Sequence, residues 1–336
     1  MLIIIKEEQE MKDKLHTNLG NIIYIYEVLK KYSDVDHILS IKDIIKYVKE
    51  EFDEAIEDRT VRRNIRVLIE KLDIDIETFK ENRQGYFLRT KDFELSEVKM
   101  MIDLLHYSKF VEKAFSDEIV EKLKHLLSKY EQETINETER IEVYSKNIKT
   151  MNKDVLNNIE VLSNSIRTKT KVEFEYYRYD INKKLKLEKT KRVSPYAILC
   201  ENEFYYLIAH NEKFNELSYF RLDRIKNIKT TEIESIKTKQ SIKDFVQSSV
   251  YMFGGERQKI KLKCDMLILD AVIEKFGMDT EIQKIDKNHF KATLNVCPKG
   301  LKMWVMQYLN YVEILEPISM REELKDNLKE ILKNIK

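Results

Sequence analysis

The 336-residue sequence predicts a multidomain α+β protein, and three observations carry that expectation. Apolar residues make up 43% of the chain, enough to build a core in each of two or three domains. The 6 Gly and 3 Pro are few, which argues against Gly-rich phosphate cradles and against all-β architectures crowded with tight turns. The hydrophobic period changes along the chain, from helical spacing to alternation and back, so both element types are present. The 60 Lys+Arg against 59 Asp+Glu leave a formal charge of +1, and only the distribution of that charge can point to a nucleic acid.

The first region reads as three helices and a hairpin. Leu15, Leu19, Ile22, Ile23, Tyr26 and Leu29 place a helix over 15–32. Ser40 is the expected N-cap of a second helix through Phe52, with Ile41, Ile44, Ile45 and Val48 as its apolar stripe. Asp58 is the expected cap of a third, with stripe Val61, Ile65, Leu68, Ile69 and Leu72. Ile74, Ile76 and Thr78 then alternate, a polar turn covers Glu81–Gly85, and Tyr86-Phe87-Leu88 returns. Three short helices and a hairpin are the components of a winged helix-turn-helix, here over 11–92. Met1 and Met11 are both candidate starts, because the periodic pattern begins only after Met11.

Residues 93–147 read as a helical connector: between Glu112 and Glu142 nine acids face five bases, and neither Gly nor Pro interrupts. A helix over 151–167 opens the next domain, 148–245. Strands follow at Lys171–Tyr179, Lys191–Cys200, Glu203–His210 and Leu217–Leu222. Between Arg167 and Arg192 ten bases face four acids, so opposite charges are segregated along the chain. After Gly254-Gly255, residues 256–336 read strand, helix, strand, strand, helix, strand, helix. That order predicts a small ferredoxin-like α+β unit, with Trp304 and Tyr308 in its core. The three cysteines are far apart and offer neither a disulfide framework nor metal-ligand spacing, which fits a reducing, cytoplasmic setting. No apolar run approaches the roughly 20 residues of a spanning helix, so no membrane partner is expected.

The third helix carries the sharpest local signal. Arg59, Arg62, Arg63 and Arg66 fall within eight residues of a chain that holds 14 Arg and 46 Lys. At 100° per residue Arg59, Thr60, Arg63 and Arg66 project away from the apolar stripe, with Arg62 at its margin. The guanidinium fork donates two parallel hydrogen bonds to guanine or phosphate, so this face is expected to read double-stranded DNA, with Arg83 at the hairpin tip as a further contact. A plain solvated face is the alternative.

These residues also carry a resemblance. Arg59-Thr60-Val61-Arg62-Arg63-Asn64, with Gly85-Tyr86-Phe87-Leu88, resembles the N-terminal domain of bacterial WYL-domain transcriptional regulators, which usually have Asp where Asn64 stands. Val193-Ser194-Pro195-Tyr196, Phe204–His210 and Tyr219–Ile225 resemble the WYL domain, with Tyr205 in place of the namesake Trp. Trp304 to Leu324 is similar to the extension that follows it. The resemblance implies a small Sm-like β-barrel for the middle domain and places Ser194, Tyr206, His210, Arg221 and Arg224 at the family's proposed ligand-binding positions. Read from the residues alone, these are a donor-rich set suited to a phosphate or nucleotide. The alternative is that Asp223 pairs with an Arg structurally and His210 is an ordinary strand residue.

No nucleophile motif, P-loop or metal-binding His pair is present, so no enzymatic activity, cofactor or metal is expected. The expected protein is a homodimeric regulator that binds operator DNA and responds to a nucleotide or single-stranded nucleic-acid effector. By family analogy, the alternative is an accessory subunit of a phage-defence system, which would not need the Arg-faced winged helix.

Overall fold

A computed structural model of the chain describes residues 20–138, 149–212 and 215–334. The chain divides into two compact units, Met1–Lys149 and Thr150–Lys336. In the first, helix α1 (20–32 in its described part) buries Ile25, Val28, Leu29 and Tyr32. That face is rotated from the expected one: Ile23 is 57% exposed, while Met11, Leu15 and Leu19 lie outside the described residues. Helix α2 (Ile41–Phe52) begins at the expected cap, where the Asp43 N–H donates to Ser40 Oγ and the Ser40 N–H donates to the Asp43 carboxylate. Helix α3 (Asp58–Leu72) begins differently. Glu57 holds the cap position without a side-chain bond, and Asp58 is the first helical residue, its carboxylate accepting from Arg62. Leu72, expected in the buried stripe, is exposed because the helix ends there and Asp73 turns the chain in the left-handed region.

Strands β1 (Ile76–Glu77) and β2 (Phe87–Leu88) pair antiparallel, and Leu39 bridges Tyr86 beside them. The segment between is not a simple polar turn. It holds a short helix, α4 (Phe79–Asn82), because the Glu81 carboxylate reaches back to accept from both the Thr78 N–H and its hydroxyl at 2.8 Å. Gly85 has no room for a side chain: a Cβ there would lie 2.2 Å from the Leu39 carbonyl oxygen. That carbonyl accepts from the Tyr86 N–H at 2.8 Å, so the clash falls on the bridge itself. Gly85→Ala is therefore expected to destabilise the first unit by about 1–3 kcal/mol, an overpacking penalty, in urea unfolding followed by circular dichroism. A variant with an unchanged midpoint would show that the bridge yields freely.

The expected helical connector comprises three helices in its described part: α5 (Leu95–Tyr107), α6 (Lys113–Lys124) and α7 (Lys129–Thr138). They pack around Val98, Ile102, Val120, Leu127 and Ile135. The chain breaks after Tyr107 without Gly or Pro because other groups satisfy the helix ends. The Lys149 ammonium donates to the Leu105 and Ser108 carbonyls at 2.8 and 3.2 Å, and Glu112 caps α6 by accepting from the Phe115 N–H. Residues 139–147 of the expected connector lie outside the described residues.

In the second unit helix α8 (Val155–Thr168) precedes an antiparallel sheet of five strands: β3 (Thr170–Tyr179), β4 (Leu185–Glu201), β5 (Phe204–Asn211), β6 (Glu216–Arg221) and β7 (Ile225–Glu234). They pair in the order β6-β5-β4-β3-β7. Strand β4 starts at Leu185, well before the expected Lys191, and both β7 and helix α9 (Ile242–Ser248) are additions to the elements expected from the sequence. The remaining elements are β8 (Gln258–Asp265), α10 (Leu269–Phe276), β9 (Glu281–Lys284), β10 (His289–Val296), α11 (Pro298–Gln307), β11 (Val312–Glu316) and α12 (Ile318–Asn334). Their sheet runs β11-β8-β10-β9, antiparallel throughout, so each βαβ connection skips one strand. Trp304 sits in the core of this part, 5.0 Å from Phe276 and 4.8 Å from Tyr308 between ring centroids. All three cysteines are free, Cys200 exposed and Cys264 and Cys297 buried. No described helix is long and apolar enough to cross a membrane.

Candidate functional site

The two groups of residues expected to act sit in different units. On α3, Val61, Asn64, Ile65 and Leu68 are buried, which fixes the rotation of the helix about its axis. Arg59, Arg62, Arg63 and Arg66 are consequently all exposed on the other side, with Thr60 half-buried between the faces. Arg62 is held by Asp58, one turn earlier, through Nε to Oδ1 at 2.6 Å. Both partners are solvated, so the contact orients Arg62 without neutralising the face in any lasting way. Arg83 is exposed as well and takes φ 61° in closing α4, which sets it at the hairpin tip. The departure at Asn64 has a physical trace: its side-chain Nδ2 is buried without a hydrogen-bond partner.

The second group divides. Alternation along β5 puts Phe204, Tyr206, Ile208 and His210 on one face, and register pairs Tyr206 with Arg221 and Ile208 with Tyr219 on β6. Helix α9 lies on this face, where Phe245 packs with Ile208 and Leu217 and stacks on Tyr219 at 4.9 Å. Ile208, between Tyr206 and His210, is fully buried there. Tyr206 and His210 are thus four residues apart, about 13 Å at the usual strand rise, with a sealed apolar patch between them. Ser194 and His210 pair across strands at one end, away from Tyr206 and Arg221. Ser194 is completely buried, and its Oγ accepts from the Ile236 N–H at 3.0 Å. It holds the chain after β7, a structural role that sequence reasoning does not anticipate for this residue. His210 places Nε2 3.0 Å from Asn215 Oδ1 and leaves Nδ1 buried without a partner.

Tyr206, Arg221 and Arg224 do come together. Arg221 donates through Nε and Nη2 to both oxygens of Asp223, at 3.0 and 2.8 Å, and its guanidinium carbon lies 3.4 Å from the centroid of the Phe204 ring. The alternative of a structural pairing with Asp223 is therefore present. It does not exhaust Arg221, which has five N–H donors and uses two of them here. The Tyr176 hydroxyl accepts from the Arg221 backbone N–H at 3.2 Å. Burial pushes the Tyr206 phenol up; Arg221 opposes this and Asp223 adds to it. Arg224 keeps its Nε buried without a partner.

The loop carrying both arginines is clamped from beneath. Asn152 Nδ2 donates to the Asp223 and Ile225 carbonyls at 3.0 and 2.8 Å, and Asn158 Nδ2 to the Leu222 and Ile225 carbonyls at 3.2 and 2.9 Å. Both asparagines are buried, and sequence reasoning misses both. Nothing local marks them, since their partners lie more than sixty residues away. Phe204 is the other addition to the set, and Asp223 takes the pairing role that the alternative reading gives it. Helix α9 does have a visible signal, the Ser241–Asp244 start before Phe245, in which the Asp244 N–H donates to Ser241 Oγ.

A comparison with curated proteins finds no match. Among solved structures, proteasome accessory factor B/C (PafBC) of Arthrobacter aurescens matches at 14% identity and a TM-score of 0.29, over 91% of this chain and 47% of that one. The chain thus spans about half the length of that protein. A CRISPR Cas-related protein matches at 13% identity and a TM-score of 0.34, over 94% of this chain and 85% of that one. Family models match two consecutive parts of the second unit, the first covering α8 to β7 and the second β8 to α12. Residues 157–230 match the model of the WYL domain and residues 256–332 that of the WCX domain.

Proposed function

We propose that this chain is a cytoplasmic, homodimeric transcriptional regulator without enzymatic activity, whose first unit binds operator DNA and whose WYL domain receives a small anionic effector. The observation that carries this reading is the α3 face: four exposed arginines opposite a buried stripe, on a helix that follows α2 after a short turn and precedes a hairpin. That is the arrangement of a recognition helix with its wing, which sets its N-terminal residues against base edges in the major groove. The skipping strand order of the WCX domain supports a ferredoxin-like assignment there.

The effector end rests on Arg221 and Arg224. The spare donors of Arg221, the unpartnered Nε of Arg224 and the Tyr206 hydroxyl suit a phosphate-bearing ligand, a nucleotide or a short single strand. Such a ligand changes operator affinity only by binding two states of the protein unequally, with couplings of about 1–3 kcal/mol as the usual range. Incubating the protein with sheared genomic duplex and sequencing the retained fragments tests the reading. A motif of two half-sites about 10 base pairs apart, or a multiple of that, is the expected outcome for a two-fold symmetric binder. Retention without any enriched motif would remove the operator from the account.

A further inference from the structure

The β3–β4 hairpin extends beyond the sheet it belongs to. Strand β7 stops pairing with β3 at Tyr176, and β5 begins to pair with β4 only at Val193. Past those points Tyr177, Arg178 and Tyr179 pair with Leu187, Lys186 and Leu185 as a two-stranded ribbon, closed by a turn at 180–184. Every residue from Ile181 to Thr190 except Leu185 is exposed, and Ile181 at the tip is 96% exposed.

The charges on this ribbon are unequally engaged. Both acids have internal roles: Asp180 Oδ1 accepts from the Asn182 and Lys184 N–H groups in the turn, and Glu188 accepts from Arg178 Nε at 2.7 Å. The exposed cations Lys183, Lys184, Lys186 and Lys189 have no ion-pair partner among the described residues. Four unneutralised ammonium groups on one narrow projection attract a dense line of negative charge. Lysine is a flexible point charge and not a bidentate fork, so it suits phosphate contact better than the geometrically fixed reading of bases. A two-stranded ribbon also has the cross-section that the major groove of duplex DNA admits.

We infer that the β3–β4 ribbon is a second duplex-DNA contact, a sequence-independent clamp on the phosphate backbone carried by Lys183, Lys184, Lys186 and Lys189. This rests on the operator-binding reading above and extends it from α3 to the WYL domain. The test replaces the four lysines with glutamine in the full chain and follows binding to a retained genomic duplex across a salt series. Each phosphate contact contributes about 0.9 to the slope of log affinity against log salt, so the expected result is a slope shallower by about 2–4 with at least a tenfold loss of affinity at low salt. Circular dichroism should not change, because all four side chains are in solvent. An Arg59→Ala/Arg63→Ala variant runs in parallel. If that variant loses binding while the lysine variant keeps wild-type slope and affinity, the clamp is wrong and the α3 reading stands. If the wild-type chain binds no duplex, both fall. A loss confined to single-stranded DNA, or to phosphatidylserine vesicles in a flotation assay, overturns the duplex clamp and assigns the ribbon to that other surface.

Discussion

The Arg59→Ala/Arg63→Ala variant should bind its operator more weakly by roughly 1–3 kcal/mol for each arginine that meets a base edge, about thirtyfold to ten-thousandfold where both do. Its melting temperature should stay close to wild type. The reason is the rotation of α3: Val61, Ile65 and Leu68 face the core with Ile25, Ile44 and Val48, whereas both arginines are in solvent. Arg62→Ala is a useful contrast, because Arg62 already pairs with Asp58 and would have to leave it to meet a phosphate. Its removal should cost less than removal of Arg59. Equal affinity of the double variant and wild type would make the α3 face an ordinary solvated helix surface.

Removal of Arg221 should have the largest effect on folding. Asp223 has only 5% of its side chain exposed and meets Arg221 through both oxygens. Arg221→Ala leaves that carboxylate buried and unpaired, an arrangement that typically costs about 3–5 kcal/mol. For a unit of this size the second unit's melting temperature should fall by about 6–20 °C. Arg224→Ala is expected to behave differently, since Arg224 has no ion-pair partner among the described residues and its removal uncovers no buried acid. Differential scanning calorimetry of the two variants, beside nucleotide-binding assays, separates stability from effector recognition. Arg224→Ala should melt near wild type while binding the effector poorly. A thermally neutral Arg221→Ala would show that the Asp223 pair does not hold the loop.

Much of this arrangement is legible in the sequence because its causes are local. The Ser40 cap, the buried face of α3 and the strand at β5 depend on neighbours within one turn or one pleat, and each lies within a residue or two of where the spacing puts it. The departures have two causes, a local signal masked by a stronger pattern and partners distant in sequence. Thr78 and Glu81 turn an expected loop into α4, a local capping signal hidden inside a hairpin pattern. The break after Tyr107 depends on Lys149, more than forty residues away, whose ammonium satisfies carbonyls that would otherwise favour continuing the helix.

The expected ligand site divides for a similar reason. Residue types and alternation put Tyr206 and His210 on one face correctly, yet α9 returns from later in the chain to cover Ile208 between them. Ser194 has a hydroxyl and a strand position that look like a ligand group, and its partner Ile236 lies 42 residues on. The asparagine clamp at 152 and 158 is of the same kind. Residues with hydrogen-bonding side chains can be found in a sequence, but where those side chains end up depends on tertiary contacts.

The central claim is that this chain recognises a particular duplex through α3, and an anisotropy titration tests it most directly. A retained genomic fragment and a shuffled duplex of equal length and composition are titrated at one fixed physiological salt concentration. A recognition helix predicts affinity for the retained fragment at least about a thousandfold above that for the shuffled one. Equal affinity for the two would contradict it.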